Sequence, residues 1–157
     1  MIAPVHIRPY DAADLDALID LFAGSVRQVA SRDYSPAQIE AWAPVAVNRQ
    51  DWTTRLGSRP TFVAETGGEI VGFSDLEPDG HIDMLFIHAD HQGQGVARAL
   101  MDHIHVRAAK QGIDRLFTEA SITARPFFER NGFDVIEAQD VELRGQTFRN
   151  YRMFKSL

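Results

Sequence analysis

The stretch His91-Gln92-Gly93-Gln94-Gly95 constrains this chain more than any other. It follows a run with strand character, His81 to His88. It opens directly into a helical run in which Val96, Leu100, Ile104 and Ala108 recur four residues apart. The first turn of a helix leaves backbone N–H groups without partners, and the aligned peptide dipoles add partial positive charge there. Glycines at such a turn let a phosphate approach the backbone closely, with no lysine or metal required. The motif is not a P-loop, because Gly95 is followed by Val96 and Ala97 rather than by Lys and Ser or Thr. Nor is it a dinucleotide fingerprint. Arg98 stands where the third glycine would fall, and the preceding segments read as antiparallel strands rather than as the first strand of a βαβ unit. A pyrophosphate cradle of another kind remains, as does a turn that merely caps a helix.

The other segments alternate in type, as in one α/β or α+β domain spanning residues 1–157. Val5 to Arg8 reads as a first strand. Asp11 is a helix cap with Asp14 three residues on, followed by Leu15, Leu18, Ile19 and Phe22 at helical spacing. Ser35-Pro36-Ala37-Gln38 starts a second helix carrying Ile39 and Trp42, and a third piece holds Trp52 and Leu56. Thr61 to Glu65 and Glu69 to Leu76 flank Gly67-Gly68, a hairpin signal. Pro78-Asp79-Gly80 is a tight turn into His81 to His88, which completes an antiparallel meander. Gly112 ends the long helix. Arg115 to Ala120 is a strand, Ala124 to Arg130 a short helix closed by Asn131-Gly132, and Val135 to Leu143 pairs with Thr147 to Phe154 around Arg144-Gly145. The order βααα-βββ-α-β-α-ββ predicts a mixed sheet with helices on both faces.

Composition narrows the chemistry. A formal net charge of −6 argues against binding nucleic acid through its phosphates and favours cationic partners. The chain has no cysteine, which excludes disulfides, thiolate metal sites and a cysteine nucleophile. His6, His88, His91, His103 and His105 have no spacing that suggests a metal site. No apolar run approaches a membrane span and no secretion signal is legible, so a cytoplasmic protein is expected, with no nucleic acid and no membrane among its partners.

Gln92-x-x-Gly95-x-Ala97 resembles the Gln/Arg-x-x-Gly-x-Gly/Ala signature of the GNAT (N-acetyltransferase) superfamily. The flanking Met84-Leu85-Phe86-Ile87 and Ala99-Leu100-Met101 are similar to that family's central segment. A second block, Ala124-Arg125-Pro126-Phe127-Phe128-Glu129-Arg130-Asn131-Gly132-Phe133, resembles its late helix and Gly-Phe ending. The resemblance extends over roughly Arg8 to Phe154. It implies an α+β fold: a twisted, mostly antiparallel sheet of six to seven strands, with helices on both faces, splayed between the fourth and fifth strands. It implies acetyl-CoA as co-substrate and no metal. The pyrophosphate would rest on the amides of Gln94, Gly95, Val96, Ala97 and Arg98, after Gln92 and Gly93. The pantetheine arm would pair with Leu85, Phe86 and Ile87, and Ser121, Arg125 and Phe128 would lie along the coenzyme.

The implied reaction is direct attack of a neutral amine on the thioester. It needs a base, donors for the oxyanion and a proton for the leaving thiolate. The sequence departs from the family at the acid. Phe128 stands where a tyrosine is usual, and Ser121 where an asparagine often precedes the late helix. That leaves Ser121, Tyr151 or water as proton donor. For the base, His81 occupies the position of a glutamate in histone-modifying members. Asp83 alternates with it on one side of the strand, and Glu119 lies on the neighbouring strand. Asp83 is equally suited to holding a cationic amine. Tyr34, Trp42 and Trp52 come from the segment that covers the acceptor pocket in the family, so they are the candidate acceptor contacts, with His81 and Asp83. The expected activity is acetyl transfer to the primary amine of a small molecule or peptide. The alternatives are a GNAT module that binds acyl-CoA without turnover, to which Phe128 lends weight, and an interaction protein that binds no coenzyme. Dimerisation is common in the family, which makes a second copy an expected partner.

Overall fold

The hydrophobic periodicity of the chain resolves into two helical layers on a sheet, in a computed structural model that describes residues 4–157. The elements are β1 (His6–Pro9), α1 (Leu15–Gln28), α2 (Pro36–Trp42), α3 (Arg49–Gly57), β2 (Thr61–Thr66), β3 (Glu69–Asp75), β4 (Leu85–Ile87), α4 (Val96–Lys110), β5 (Arg115–Ser121), α5 (Arg125–Arg130), β6 (Asp134–Leu143) and β7 (Gln146–Ser156). Both predicted capping boxes form. Asp11 and Asp14 cap each other at a short 3₁₀ turn leading into α1, and Ser35 and Gln38 do so at α2. On one face, Leu15, Leu18 and Ile19 of α1 pack with Leu56 of α3 against Val63, Phe73 and Met84. On the other, Val96, Leu100, Ile104 and Ala108 of α4 pack with Phe128 of α5 against Phe62, Val71, Leu116 and Met153. Leu100 and Ile104 are completely buried, each worth about 2 kcal/mol of apolar burial.

The seven strands form two hydrogen-bonded sets, β1-β2-β3-β4 and β5-β7-β6, antiparallel throughout. They meet at one end of a seam between β4 and β5. There His81 bridges Phe117 in parallel, Ile82 N–H donates to Phe117 O at 2.9 Å and Phe117 N–H to Gly80 O at 3.1 Å. The Thr118 hydroxyl adds a bond to Ile82 O at 2.8 Å. Past Ile82 no backbone bond joins the two strands, so they diverge.

The expected strand from His81 to His88 therefore shortens to Leu85–Ile87. The cause is Asp75, whose fully buried carboxylate accepts the amides of Asp83 and Met84, both at 2.9 Å. A side chain thus replaces regular ladder partners over residues 83–84. The first strand also begins one residue later than predicted, at His6.

Candidate active site

The glycine-rich turn has the geometry its sequence demands. Gly95, at φ 81°, is the cap residue of α4, and Gly93 lies at φ 71°. Both are in the left-handed region, and space beyond their α-carbons is open, with nothing within 4 Å of an added β-carbon. The backbone N–H groups of residues 94–98 find no acceptor among the described residues. Gln92 ties the turn to β4, donating from Nε2 to Ile87 O at 3.0 Å. Free amides, glycine backbone and a fifteen-residue helix behind them suit an anion.

β4 presents its other edge to the seam. His88 N–H donates to Val71 O at 2.8 Å and Asp75 N–H to Met84 O at 3.3 Å. Alternation then turns the N–H groups of Leu85 and Ile87 away from β3 and toward β5. Beside this edge lies a cavity of about 560 Å³, walled by α1, the link between α2 and α3, β4, β5 and β7. Of the residues expected at the coenzyme, Leu85, Phe86, Ser121 and Phe128 line it, whereas those of the turn do not. Of those expected at the acceptor, Tyr34, Trp42, Trp52 and Asp83 line it.

Two of these aromatic residues also hold the fold. Tyr34 is buried. Its hydroxyl donates to Arg149 O at 2.7 Å and accepts Ile122 N–H at 3.0 Å, latching the first helical layer to β5 and β7. Trp52 packs on Phe22 with ring centroids 5.0 Å apart, and on Phe73.

The three candidate bases belong to one charge network. Arg59 Nη1 reaches Asp83 Oδ2 at 2.8 Å, Asp75 Oδ2 at 3.2 Å and Glu77 Oε1 at 3.3 Å. Arg55 also binds Asp83 Oδ2, at 2.8 Å. His81 lies between two carboxylates: Nδ1 is 2.7 Å from Glu77 and Nε2 is 2.9 Å from Glu119. Burial pushes its imidazole down, but Glu77 and Glu119 outweigh that and hold it above the ordinary histidine value. As a candidate base, His81 is therefore held between two carboxylates rather than free. Both ring nitrogens are engaged, and it lies outside the cavity lining. Asp83 lines the cavity with one oxygen already shared by two guanidinium groups. Glu119 lines it as well, backed by His81.

The two hydroxyl candidates separate. Ser121 lines the cavity and its Oγ accepts Ala124 N–H at 3.0 Å, so its own proton is free to be donated. Tyr151 lies elsewhere. It pairs with Ala120 and packs with the α4–α5 core, its ring 4.3 Å beneath the Arg125 guanidinium and outside the cavity lining. Arg125 is thereby placed on Tyr151 and on Glu129, at 3.1 Å. Arg98 is exposed and pairs with Asp102. Phe128 is buried against Phe127 and Phe133 and carries no hydroxyl into the site.

Sequence reasoning missed several wall residues. Phe22, Asp51, Phe148 and Asn150 line the cavity, and the buried Asn150 Oδ1 has no hydrogen-bond partner among the described residues. On β7, Phe148 and Asn150 alternate toward the cavity, a period-two signal that was available in the sequence. Nothing local in the sequence marks Asp75 or Arg59.

Comparison with known proteins bears on this geometry. Residues 30–155 match the family model described as an acetyltransferase (GNAT) domain. The chain is 39% identical over 150 residues to the uncharacterized N-acetyltransferase YafP of Escherichia coli strain K12, covering 95% of this chain and 94% of that protein. It is 33% identical over 94 residues to the peptidyl-lysine N-acetyltransferase YjaB of Salmonella typhimurium, covering 59% of this chain and 63% of that one. A solved GCN5-related N-acetyltransferase from Rhodopseudomonas palustris superposes with a TM-score of 0.94 at 34% identity, over 100% of this chain and 98% of that one. A glycine turn with free amides, a seam that splays beside it and a matched family model lead to one conclusion: this chain belongs to the GNAT acetyltransferases.

Proposed function

We propose that the protein transfers the acetyl group of acetyl-CoA to the primary amine of a small molecule or peptide, by direct attack within one acetyltransferase unit. The observation that carries this reading is the open edge of β4 beside a cavity that holds both a carboxylate, Glu119, and a hydroxyl, Ser121. The coenzyme supplies an acyl thioester. The amides of residues 94–98 receive its pyrophosphate, and the seam-facing edge of Leu85 and Ile87 receives the pantetheine arm. A Leu85 or Ile87 N–H then serves the developing oxyanion.

Glu119 is the base. Among the three candidates it alone lines the cavity without being shared between arginines, and His81 holds it in place. It takes the proton that the amine sheds as nitrogen bonds to the carbonyl carbon. The carbon–sulfur bond then breaks, and the thiolate takes a proton from water, directly or relayed through the Ser121 hydroxyl, which water reprotonates. A thiolate leaves readily enough that Phe128, in place of a tyrosine, does not bar turnover. Glu119→Gln is expected to lower kcat about a hundredfold at neutral pH, with acetyl-CoA affinity unchanged. Thiol release measured over a panel of amines checks this, and an unaltered rate contradicts the assignment.

A further inference from the structure

The acceptor half of the cavity has a chemical character of its own. Four half-buried rings, Phe22, Trp42, Trp52 and Phe86, line it together with the buried ring of Phe148. Phe22 and Phe86 meet edge-on at 88° with centroids 4.9 Å apart, as do Trp42 and Phe148 at 77° and 6.2 Å, while Phe22 and Trp52 are tilted at 59°. Edge-on walls present ring faces and edges to a guest, the arrangement in which a flat apolar group packs best. The mouth continues the pattern, since the link between α2 and α3 exposes Val47.

The charges of the wall nearly cancel. Its carboxylates are Asp51, Asp83 and Glu119, and its cations are Arg55 and Arg144. Asp83 is bound by Arg55 and Arg59, and Glu119 by His81. A guest carrying several positive charges would meet, among the described residues, one carboxylate without an ion pair, Asp51, and one guanidinium without one, Arg144. A guest with one amine is accommodated.

One polar atom is left waiting. Asn150 Oδ1 is buried in the wall and accepts no hydrogen bond among the described residues. Its residue lies directly across from Ser121 in the β5–β7 register, on the strand face that also carries Glu119. A buried acceptor without a donor is costly, and a turn of the half-buried Asn150 side chain that brings this oxygen to a guest N–H removes that cost.

From these features we infer that the acceptor is a primary monoamine borne on an aromatic group. The ring is held among Trp42, Phe86 and Phe148, and the amine is directed between Glu119 and the carboxamide oxygen of Asn150. The inference rests on the acetyl-transfer reading above and narrows its acceptor.

The test compares 2-phenylethylamine, spermidine and a lysine-containing peptide as acceptors, with acetyl-CoA binding measured separately. The expected result is a kcat/KM for 2-phenylethylamine at least tenfold above the other two. Trp42→Ala is expected to raise the KM for 2-phenylethylamine at least fivefold with the KM for acetyl-CoA unchanged. Asn150→Leu, which keeps the side-chain bulk and removes the acceptor oxygen, is expected to lower kcat/KM for the amine. Preference for spermidine or the peptide overturns the inference and leaves the acetyl-transfer reading standing. Failure to bind acetyl-CoA overturns both. If the coenzyme binds and no amine is turned over, tryptophan emission decides, because Trp42 and Trp52 are the chain's two tryptophans and both line the cavity. Saturable quenching by 2-phenylethylamine and not by spermidine supports the inference, and its absence overturns it.

Discussion

Asp75 shows how one buried side chain sets the site. It is completely buried, yet it accepts two backbone N–H groups and meets Arg59. Burial pushes its carboxyl up to about 6, against the Met84 amide, which pulls it down. Truncation in Asp75→Ala orphans two buried amides, and chemical denaturation is expected to show a loss of about 2–5 kcal/mol. The raised value also fixes a sign. The folded state holds this proton more tightly than the unfolded chain does, so the contribution is complete below about pH 4 and fades as pH rises through about 6. Between pH 5 and pH 7.5 the protein is expected to lose about 1 kcal/mol more stability than Asp75→Asn, which keeps the accepting oxygen and does not titrate. Identical pH dependence in the two proteins contradicts the assigned burial. Single residues were unevenly legible in the sequence. The Asp11 and Ser35 caps follow from local spacing and form as read. The engagement of His81 by Glu77 and Glu119 did not, because Glu119 is 38 residues away and only the fold brings it there.

At the level of elements, the seam between β4 and β5 depends on how closely the chain crosses at Gly80. A β-carbon there would lie 2.1 Å from Arg115 O, at a backbone φ of 95°. No side chain fits without moving β5. Gly80→Ala is expected to cost about 3 kcal/mol through strain and clash, lowering Tm by about 6–12 °C. Gly67→Ala, in an open hairpin with nothing within 4 Å, provides the control and should lose less. Equal losses in a thermal melt contradict this account of the seam. Helices and hairpins were the legible elements, because caps, glycine turns and apolar spacing are local. The long α4 face of Val96, Leu100, Ile104 and Ala108 is buried as its spacing predicts. The strand from His81 to His88 was overread, because alternation cannot register that Asp75 would take its amides. The face that Tyr151 joins was not legible for a related reason, since its pairing with Ala120 decides it.

For the molecule as a whole, two helical layers and a splayed sheet bring together features separated along the chain. The α4 turn offers free amides, β4 offers an open edge, and α1, β5 and β7 close a cavity against that edge. The family and this architecture were legible in two short blocks, Gln92 to Ala97 and Ala124 to Phe133. The acceptor wall was not, because Phe22, Phe148 and Asn150 come from elements with no motif of their own. Calorimetric titration with acetyl-CoA tests the central claim most directly, with Gly95→Phe as its partner, since that side chain fills the open space over the α4 amides. The account predicts saturable binding of one acetyl-CoA per chain, lost in Gly95→Phe while circular dichroism shows the fold retained. Absence of binding by the unaltered protein, or equal affinity in the variant, contradicts it.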